Sequence, residues 1–267
     1  MPDQIHAARA ALHYWEEPVI SGSYGSGAVF FSGCTLRCAF CQNGVISQEN
    51  FGKPLSPAGL RAAFERLIDE GCQNINLVTP THFLPSILPA LTPKLPVPVV
   101  WNSSGYECVE TLRMLDGLVQ VYLPDLKYAD ADLARDLSCA PDYFSVATAA
   151  IREMFRQTGP CVMEKGLLRR GVLIRHLVLP GSKEDSIRLM HWMAEQLPKD
   201  SFYISLMSQY TPYEQNPQFP ELNRRITSYE YQKVVDAALD LGLTQGFMQK
   251  KSSAKEEYTP AFDLEGL

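Results

Sequence analysis

Short apolar runs alternate along this chain with longer stretches of mixed character. Six runs read as strands: "AVFF" (28–31), "NINLV" (74–78), "VPVVW" (97–101), "LVQVYL" (118–123), "GVLIRHLVL" (171–179) and "FYISLM" (202–207). They are rich in Val, Ile and aromatic residues, as short parallel strands buried on both faces should be. Helical patterns lie between them. "PAGLRAAFERLIDEG" (57–71) begins behind Ser56 and stops at a glycine. "EDSIRLMHWMAEQL" (184–197) and "SYEYQKVVDAALDLG" (228–242) place apolar residues three and four apart, and two further helices fill 130–139 and 142–158. This order predicts an α/β fold with a parallel sheet. Six βα units over roughly 200 residues fall short of the ~250 of an eight-unit barrel. A partial barrel or an open sheet fits. Residues 1–27 read as an N-terminal extension with a short helix-like apolar stretch, 28–250 as one domain, and 251–267 as a polar, loosely held tail.

In parallel α/β folds, ligands bind at the carboxyl ends of the strands. Every polar, chemistry-capable segment here follows a predicted strand: "SGCTLRCAFCQN", "TPTHF", "NSSGYE", "PDLKY", "PGSKED" and "SQYTPYEQNPQF". The expected site is therefore one end of the sheet.

Composition changes this picture little. Apolar residues make up 46% of the 267 and charged residues 20%, an ordinary globular balance. A net charge of −6 argues against a nucleic-acid partner. No signal-peptide pattern is visible, and no stretch approaches the ~20 apolar residues that span a bilayer. The expectation is a cytoplasmic protein without a membrane partner, where thiols stay reduced.

The seven cysteines sharpen it. Cys72, Cys108, Cys139 and Cys161 stand apart, while Cys34, Cys38 and Cys41 crowd into eight residues. An odd total in a reducing compartment points to a metal site, not a disulfide framework. A structural zinc needs a fourth ligand, for which His82 is the candidate. Three cysteines alone leave one iron of a [4Fe–4S] cluster open for a cosubstrate.

C-x-x-x-C-x-Phe-C directly after a strand resembles the signature of the radical S-adenosylmethionine (SAM) superfamily. The resemblance implies a partial (β/α)6 TIM-like barrel. It also implies an open iron that chelates the amino and carboxylate groups of SAM, and reductive cleavage to a 5′-deoxyadenosyl radical that abstracts hydrogen. "VFFSGCTLRCAFCQN", "PDLKY" and "IRHLVLPG" further resemble glycyl-radical-enzyme activases, especially the pyruvate formate-lyase-activating-enzyme-like group, across residues 11–250. That implies a protein or peptide substrate such as a glycyl-radical enzyme, and a flavodoxin- or ferredoxin-type reductant. The alternatives are a radical SAM enzyme acting on another peptide or small molecule, and a non-catalytic iron–sulfur protein for electron transfer or sensing.

Roles carry over residue by residue. Cys34, Cys38 and Cys41 match the cluster ligands, and Phe40 matches a position beside adenine, where it is equally a core aromatic. Asp125 and Lys127 match a motif in which the Asp builds a monovalent-cation site beside the SAM carboxylate. Asn102 and Ser103 stand where activases carry Asp-Thr, and both are also ordinary turn formers. Arg175 matches an arginine directed at the SAM carboxylate, a task that suits a guanidinium. His176, its neighbour, then faces the other way and packs. Gln209 aligns with a ribose-contacting histidine. Where activases carry a Gly-Gly-Glu-Pro-like loop that holds the SAM amino group, this chain has "VTPTHF". Thr79, Pro80 and Thr81 offer carbonyls there, and His82 is new chemistry. "HYWEEP" (13–18) reads as a solvated acidic turn, with Glu16 or Glu17 near the site as the alternative. Arg169 and Arg170 precede their strand and belong at the opposite end. Tyr210, Tyr213 and Phe219 are candidates for gripping a peptide, or else loop packing.

Overall fold

A parallel strand must be reached by a crossover, and the helices between the apolar runs supply it. The computed structural model describes residues 4–212, 215–248 and 260–267. Its strands are β1 (Ile5–His13), β2 (Ser26–Phe31), β3 (Lys53–Leu55), β4 (Ile75–Val78), β5 (Val99–Ser103), β6 (Val121–Pro124), β7 (Val162–Glu164), β8 (Leu167–Leu177), β9 (Tyr203–Met207) and β10 (Gly246–Met248). The six predicted strands are β2, β4, β5, β6, β8 and β9. They pair in that order, all parallel, and β10 adds a parallel strand beside β9. On the other side β1 pairs antiparallel with β2, and β3 with β1. β7 folds back on β8. Among the described residues β10 and β3 are free edges that do not pair with one another, so the barrel is partial.

The predicted helices stand at Pro57–Asp69, Ala131–Ser138, Tyr143–Thr158, Lys183–Gln196 and Ser228–Asp240. Local chemistry sets their starts. Ser56 Oγ accepts from Gly59 N at 3.0 Å. Thr227 and Glu230 form a reciprocal capping box. No helix among the described residues is long and apolar enough to cross a membrane.

The strand period of two separates two cores. One face of the sheet, with Leu77, Trp101, Tyr122, Ile174 and Leu206, packs against the helices. The other face lines the lumen. Its lower part is apolar, built from Val100, Val121, Leu123 and Leu173, and is plugged by Val19 and Ile20 from the short helix Pro18–Ser21. Asn74 Nδ2 fixes that plug by donating to Ile20 O at 2.8 Å. Higher up, the inward positions turn polar.

Two expectations are corrected. The helix-like stretch near the N-terminus is β1: alanine favours helix, but the ladder with β2 overrides that weak propensity. The tail, expected to be loosely held, is docked over 260–267. Glu265 O accepts from Ala10 N at 2.9 Å, Leu264 N donates to Ala8 O at 3.1 Å, and Arg9 pairs with Asp263 at 2.8 Å and also with Glu265. Residues 251–259, the rest of that tail, lie outside the described residues.

Ile20 is 1% exposed. Ile20→Ala should hollow the lumen plug and cost about 2–5 kcal/mol, read as a lower denaturant midpoint at unchanged slope.

Candidate active site

The carboxyl ends of the parallel strands open on a cavity of about 930 Å³, within the size range of small-molecule sites. Cys34, Cys38 and Cys41 lie on the loop leaving β2, and all three line this cavity as free thiols. The loop is tied down by backbone bonds from Arg37 N to Ser138 O at 3.3 Å and Ala39 N to Leu137 O at 2.8 Å. Each sulfur has a polar neighbour. Leu36 N donates to Cys34 Sγ at 3.4 Å, Ser138 Oγ to Cys38 Sγ at 3.0 Å, and Cys41 Sγ lies 3.1 Å from Ser47 Oγ. Burial pushes the Cys38 thiol up to about 11 and raises Cys34 as well, with Lys127 pulling both the other way. A cationic metal centre reverses that balance and holds thiolates outright. Among the described residues no three His, Cys, Asp or Glu side chains converge as the ligands of a single ion. Three soft donors spread on one loop fit an iron–sulfur cluster better than a closed tetrahedral zinc site.

Beside the thiols lies a charged lattice centred on Arg175. Its Nε donates to Asp125 Oδ1 at 3.0 Å, its Nη1 to Glu16 Oε2 at 3.2 Å and its Nη2 to Asn102 Oδ1 at 2.6 Å. Lys127 Nζ donates to Asp125 Oδ2 at 2.7 Å. Burial alone would raise the Asp125 carboxyl, but Lys127 and Arg175 outweigh it and hold it below its ordinary value. Glu16 Oε1 accepts from Asn76 Nδ2 at 3.1 Å and Asn102 Nδ2 at 3.2 Å. The solvated-turn expectation for Glu16 and Glu17 is therefore corrected. The lumen plug carries Glu16 inward onto a guanidinium, and Glu17 is buried beside it. Burial pushes the Glu17 carboxyl up, against the pull of Arg175.

No family model matches the chain. It is 32% identical over 240 residues to an uncharacterized protein of Methanocaldococcus jannaschii, a match covering 85% of this chain and 65% of that one. In structure it is similar to SuiB of Streptococcus suis bound to the precursor peptide SuiA, with a TM-score of 0.55, 14% identity, and coverage of 82% of this chain and 47% of SuiB. It is also similar to a C140A mutant of spore photoproduct lyase, with a TM-score of 0.52, 10% identity, and coverage of 82% and 74%. The chain thus spans just under two thirds of the curated relative and about half of SuiB. The fold is that of the radical SAM enzymes.

Within the radical SAM fold, thirteen of the residues singled out from sequence line one cavity: Glu16, Glu17, Cys34, Cys38, Phe40, Cys41, Thr79, Asn102, Ser103, Asp125, Lys127, Arg175 and Gln209. Others do not join them. Thr81 is turned away and donates to Glu107 Oε1 at 2.8 Å. Ser103 lines the cavity, but its hydroxyl donates to Glu107 Oε2 at 2.7 Å. Trp101 Nε1 also donates to Glu107, at 2.7 Å. Glu107 is a buried carboxyl whose pKa is raised by burial against these three donors. The only sequence signal for it was its place in the polar segment after β5. His82 Nε2 donates to Ser32 O at 2.7 Å and its ring packs on Phe83, and it is not among the described cavity-lining residues. The zinc alternative thereby loses its fourth ligand. Tyr210 is buried, with its hydroxyl on Leu222 O at 2.6 Å and its ring edge-on to Phe40. Phe219 packs against the outer core, and Tyr213 lies outside the described residues. Arg169 Nη1 donates to Gln73 O at 3.3 Å, at the opposite end of the sheet.

Arg175→Leu removes the cation paired with the buried Glu16 and leaves Asp125 with Lys127 alone. It should destabilise the fold by about 3–5 kcal/mol, measured by equilibrium unfolding. His176 faces away, with Nδ1 donating to Leu126 O at 2.6 Å and Nε2 accepting from Ser186 Oγ at 2.8 Å. Burial lowers its pKa to about 4. The unfolded chain takes up this proton near pH 6.5, whereas the folded chain resists it. Stability held above that pH is therefore lost as pH falls toward 4. A His176→Gln variant should show a shallower fall across that window in unfolding titrations.

Proposed function

We propose that this chain is a radical SAM enzyme in which Cys34, Cys38 and Cys41 hold a [4Fe–4S] cluster. The observation that carries the reading is the placement of three free thiols on the loop after the first parallel strand, open to the cavity that Asp125, Lys127 and Arg175 also line. Once bound, the cluster and SAM supply a 5′-deoxyadenosyl radical by one-electron cleavage of the sulfonium, and that radical takes a hydrogen atom from the substrate. The chain's residues bind and orient. Lys127 keeps two N–H donors beyond its bond to Asp125 and meets the SAM carboxylate. Arg175, already tied to three acceptors, fixes Asp125 and Asn102 in place. Phe40 backs the adenine, carbonyls of the Thr79–Pro80 turn receive the amino group, and Gln209 meets a ribose hydroxyl. Lys127 and Arg175 supply the positive charge beside Asp125, so the monovalent cation expected there is not carried into this reading.

The finer reading is an activase-like enzyme that takes the hydrogen from a glycine Cα in a protein or peptide loop, with the electron coming from a flavodoxin- or ferredoxin-type donor. The three activase-like segments support it. A peptide substrate gains support from the size of the cavity and from SuiB, which shares the fold and was crystallised with its precursor peptide.

Anaerobic reconstitution, reduction and addition of SAM should yield 5′-deoxyadenosine by chromatography, and Cys38→Ala should abolish it. An intact, reduced cluster whose EPR signal does not change on adding SAM would sink this reading in favour of an electron-transfer protein.

A further inference from the structure

Serine and threonine hydroxyls on helices often bond back to the carbonyl one turn earlier. Thr148 Oγ1 donates to Phe144 O at 2.7 Å, and Thr158 Oγ1 to Met154 O at 2.9 Å. Ser138, the last residue of the helix Ala131–Ser138, does otherwise. Its Oγ donates to Cys38 Sγ at 3.0 Å, across 100 residues of chain. The same Oγ lies 2.6 Å from the Tyr128 hydroxyl. A serine hydroxyl has one proton. With that proton on Cys38, Tyr128 is the donor to Ser138, and the bonds run one way, from Tyr128 through Ser138 to the sulfur. Both residues are buried, so water does not compete for these bonds. The backbone fixes the contact from both sides. Arg37 N and Ala39 N, which flank Cys38, donate to Ser138 O and Leu137 O at 3.3 and 2.8 Å. The helix end therefore clasps the loop with Cys38 at the centre.

From this directed pair we infer that Ser138, oriented by Tyr128, raises the reduction potential of the cluster that Cys38 helps to hold. The inference rests on the cluster assignment proposed above. Reduction adds one negative charge to the cluster and its thiolates. A donor on a thiolate sulfur therefore holds the reduced state more strongly than the oxidised one, and hydrogen bonds to sulfur are among the levers that set such potentials. A higher potential eases delivery of the electron and lessens the driving force for passing it on. Tyr128 acts at one remove. By donating to Ser138 it keeps the serine proton on the sulfur side and polarises that bond. Both are positioning residues that work through Cys38, as outer partners of metal ligands do elsewhere.

The test uses the full chain, reconstituted with its cluster and kept free of SAM. An EPR-monitored redox titration reads the one-electron potential, and iron and sulfide analysis counts the cluster. Ser138→Ala should lower the reduction equilibrium constant by about three- to tenfold, or roughly 30–60 mV for one electron. Tyr128→Phe should lower it by less, and it serves if Ser138→Ala assembles no cluster. The double substitution should lie no lower than Ser138→Ala, because Tyr128 works only through the serine hydroxyl. Ser138→Thr keeps a hydroxyl and should stay nearer the parent than Ser138→Ala does. An unchanged potential in Ser138→Ala, or in Tyr128→Phe where only that variant assembles a cluster, would overturn the inference. So would two losses that add in full, since the residues would then act separately. 5′-Deoxyadenosine formation, measured on the same preparations after adding SAM, separates the two failures. Cleavage by a cluster whose potential ignores Ser138 sinks this inference alone. A potential that shifts as expected in a chain that never cleaves SAM sinks the enzymatic reading alone. A parent chain that assembles no [4Fe–4S] cluster sinks both.

Discussion

An arginine inside a half-closed barrel must find an acceptor in every direction it points, and Arg175 finds them on three separate pieces of chain. Asp125 comes from the end of β6, Asn102 from β5, and Glu16 from the plug that rises through the lumen. The backbone follows the same plan, with Leu126 N donating to Arg175 O at 2.8 Å across the end of the ladder. A buried ion network of this kind adds little net stability over an apolar filling, yet it is expensive to break. Its effect here is positional. With Arg175 satisfied, the ends of β5, β6 and β8 and the N-terminal plug share one geometry, and it lines the same cavity as the three thiols.

Buried carboxylates stand on both faces of the sheet near this end, with different duties. Glu107 lies on the helix-covered side and gathers hydroxyl and indole donors from Thr81, Ser103 and Trp101. Those bonds tie the turn after β4 to the end of β5 from behind. Asp125 and Glu16 lie on the lumen side and gather cationic donors instead. One set braces the loops and the other charges the cavity they surround. Ser103 belongs to both regions, since its residue lines the cavity while its hydroxyl is committed behind it.

What could be read from the sequence follows from which forces act locally. The six parallel strands are continuous apolar runs, so periodicity finds them, and their polar C-terminal segments mark the cavity. The three-residue strands β3, β7 and β10 are too short to show any period. The alanines of β1 prefer helix in isolation, and only the register with β2 makes them a strand. The place of Glu16 is hidden for a related reason. An acidic pair beside a proline is ordinary in a turn, and nothing within the segment shows that Asn76, Asn102 and Arg175, some 60 to 160 residues away, will close around it. Thr81 and Ser103 lay in the right segments, but the direction of a side chain at a strand end depends on a partner such as Glu107 that local pattern does not weigh.

The turn after β4 shows how a distant partner can hold a backbone that its own residue disfavours. Thr79 sits at φ 58, in the left-handed region that a β-branched residue rarely enters. Such a conformation costs about 1–3 kcal/mol and persists only where its surroundings impose it. The surroundings here are specific: Thr79 N donates to Asn102 O at 2.9 Å, and Asn102 is itself held by Arg175. Glycine adopts this conformation freely, and here a threonine is held in it. The side chains that follow, Thr81 and His82, are committed away from the cavity, to Glu107 and to Ser32 O. From this turn Thr79 lines the cavity, its amide held by Asn102, the same residue that Arg175 holds through its side chain.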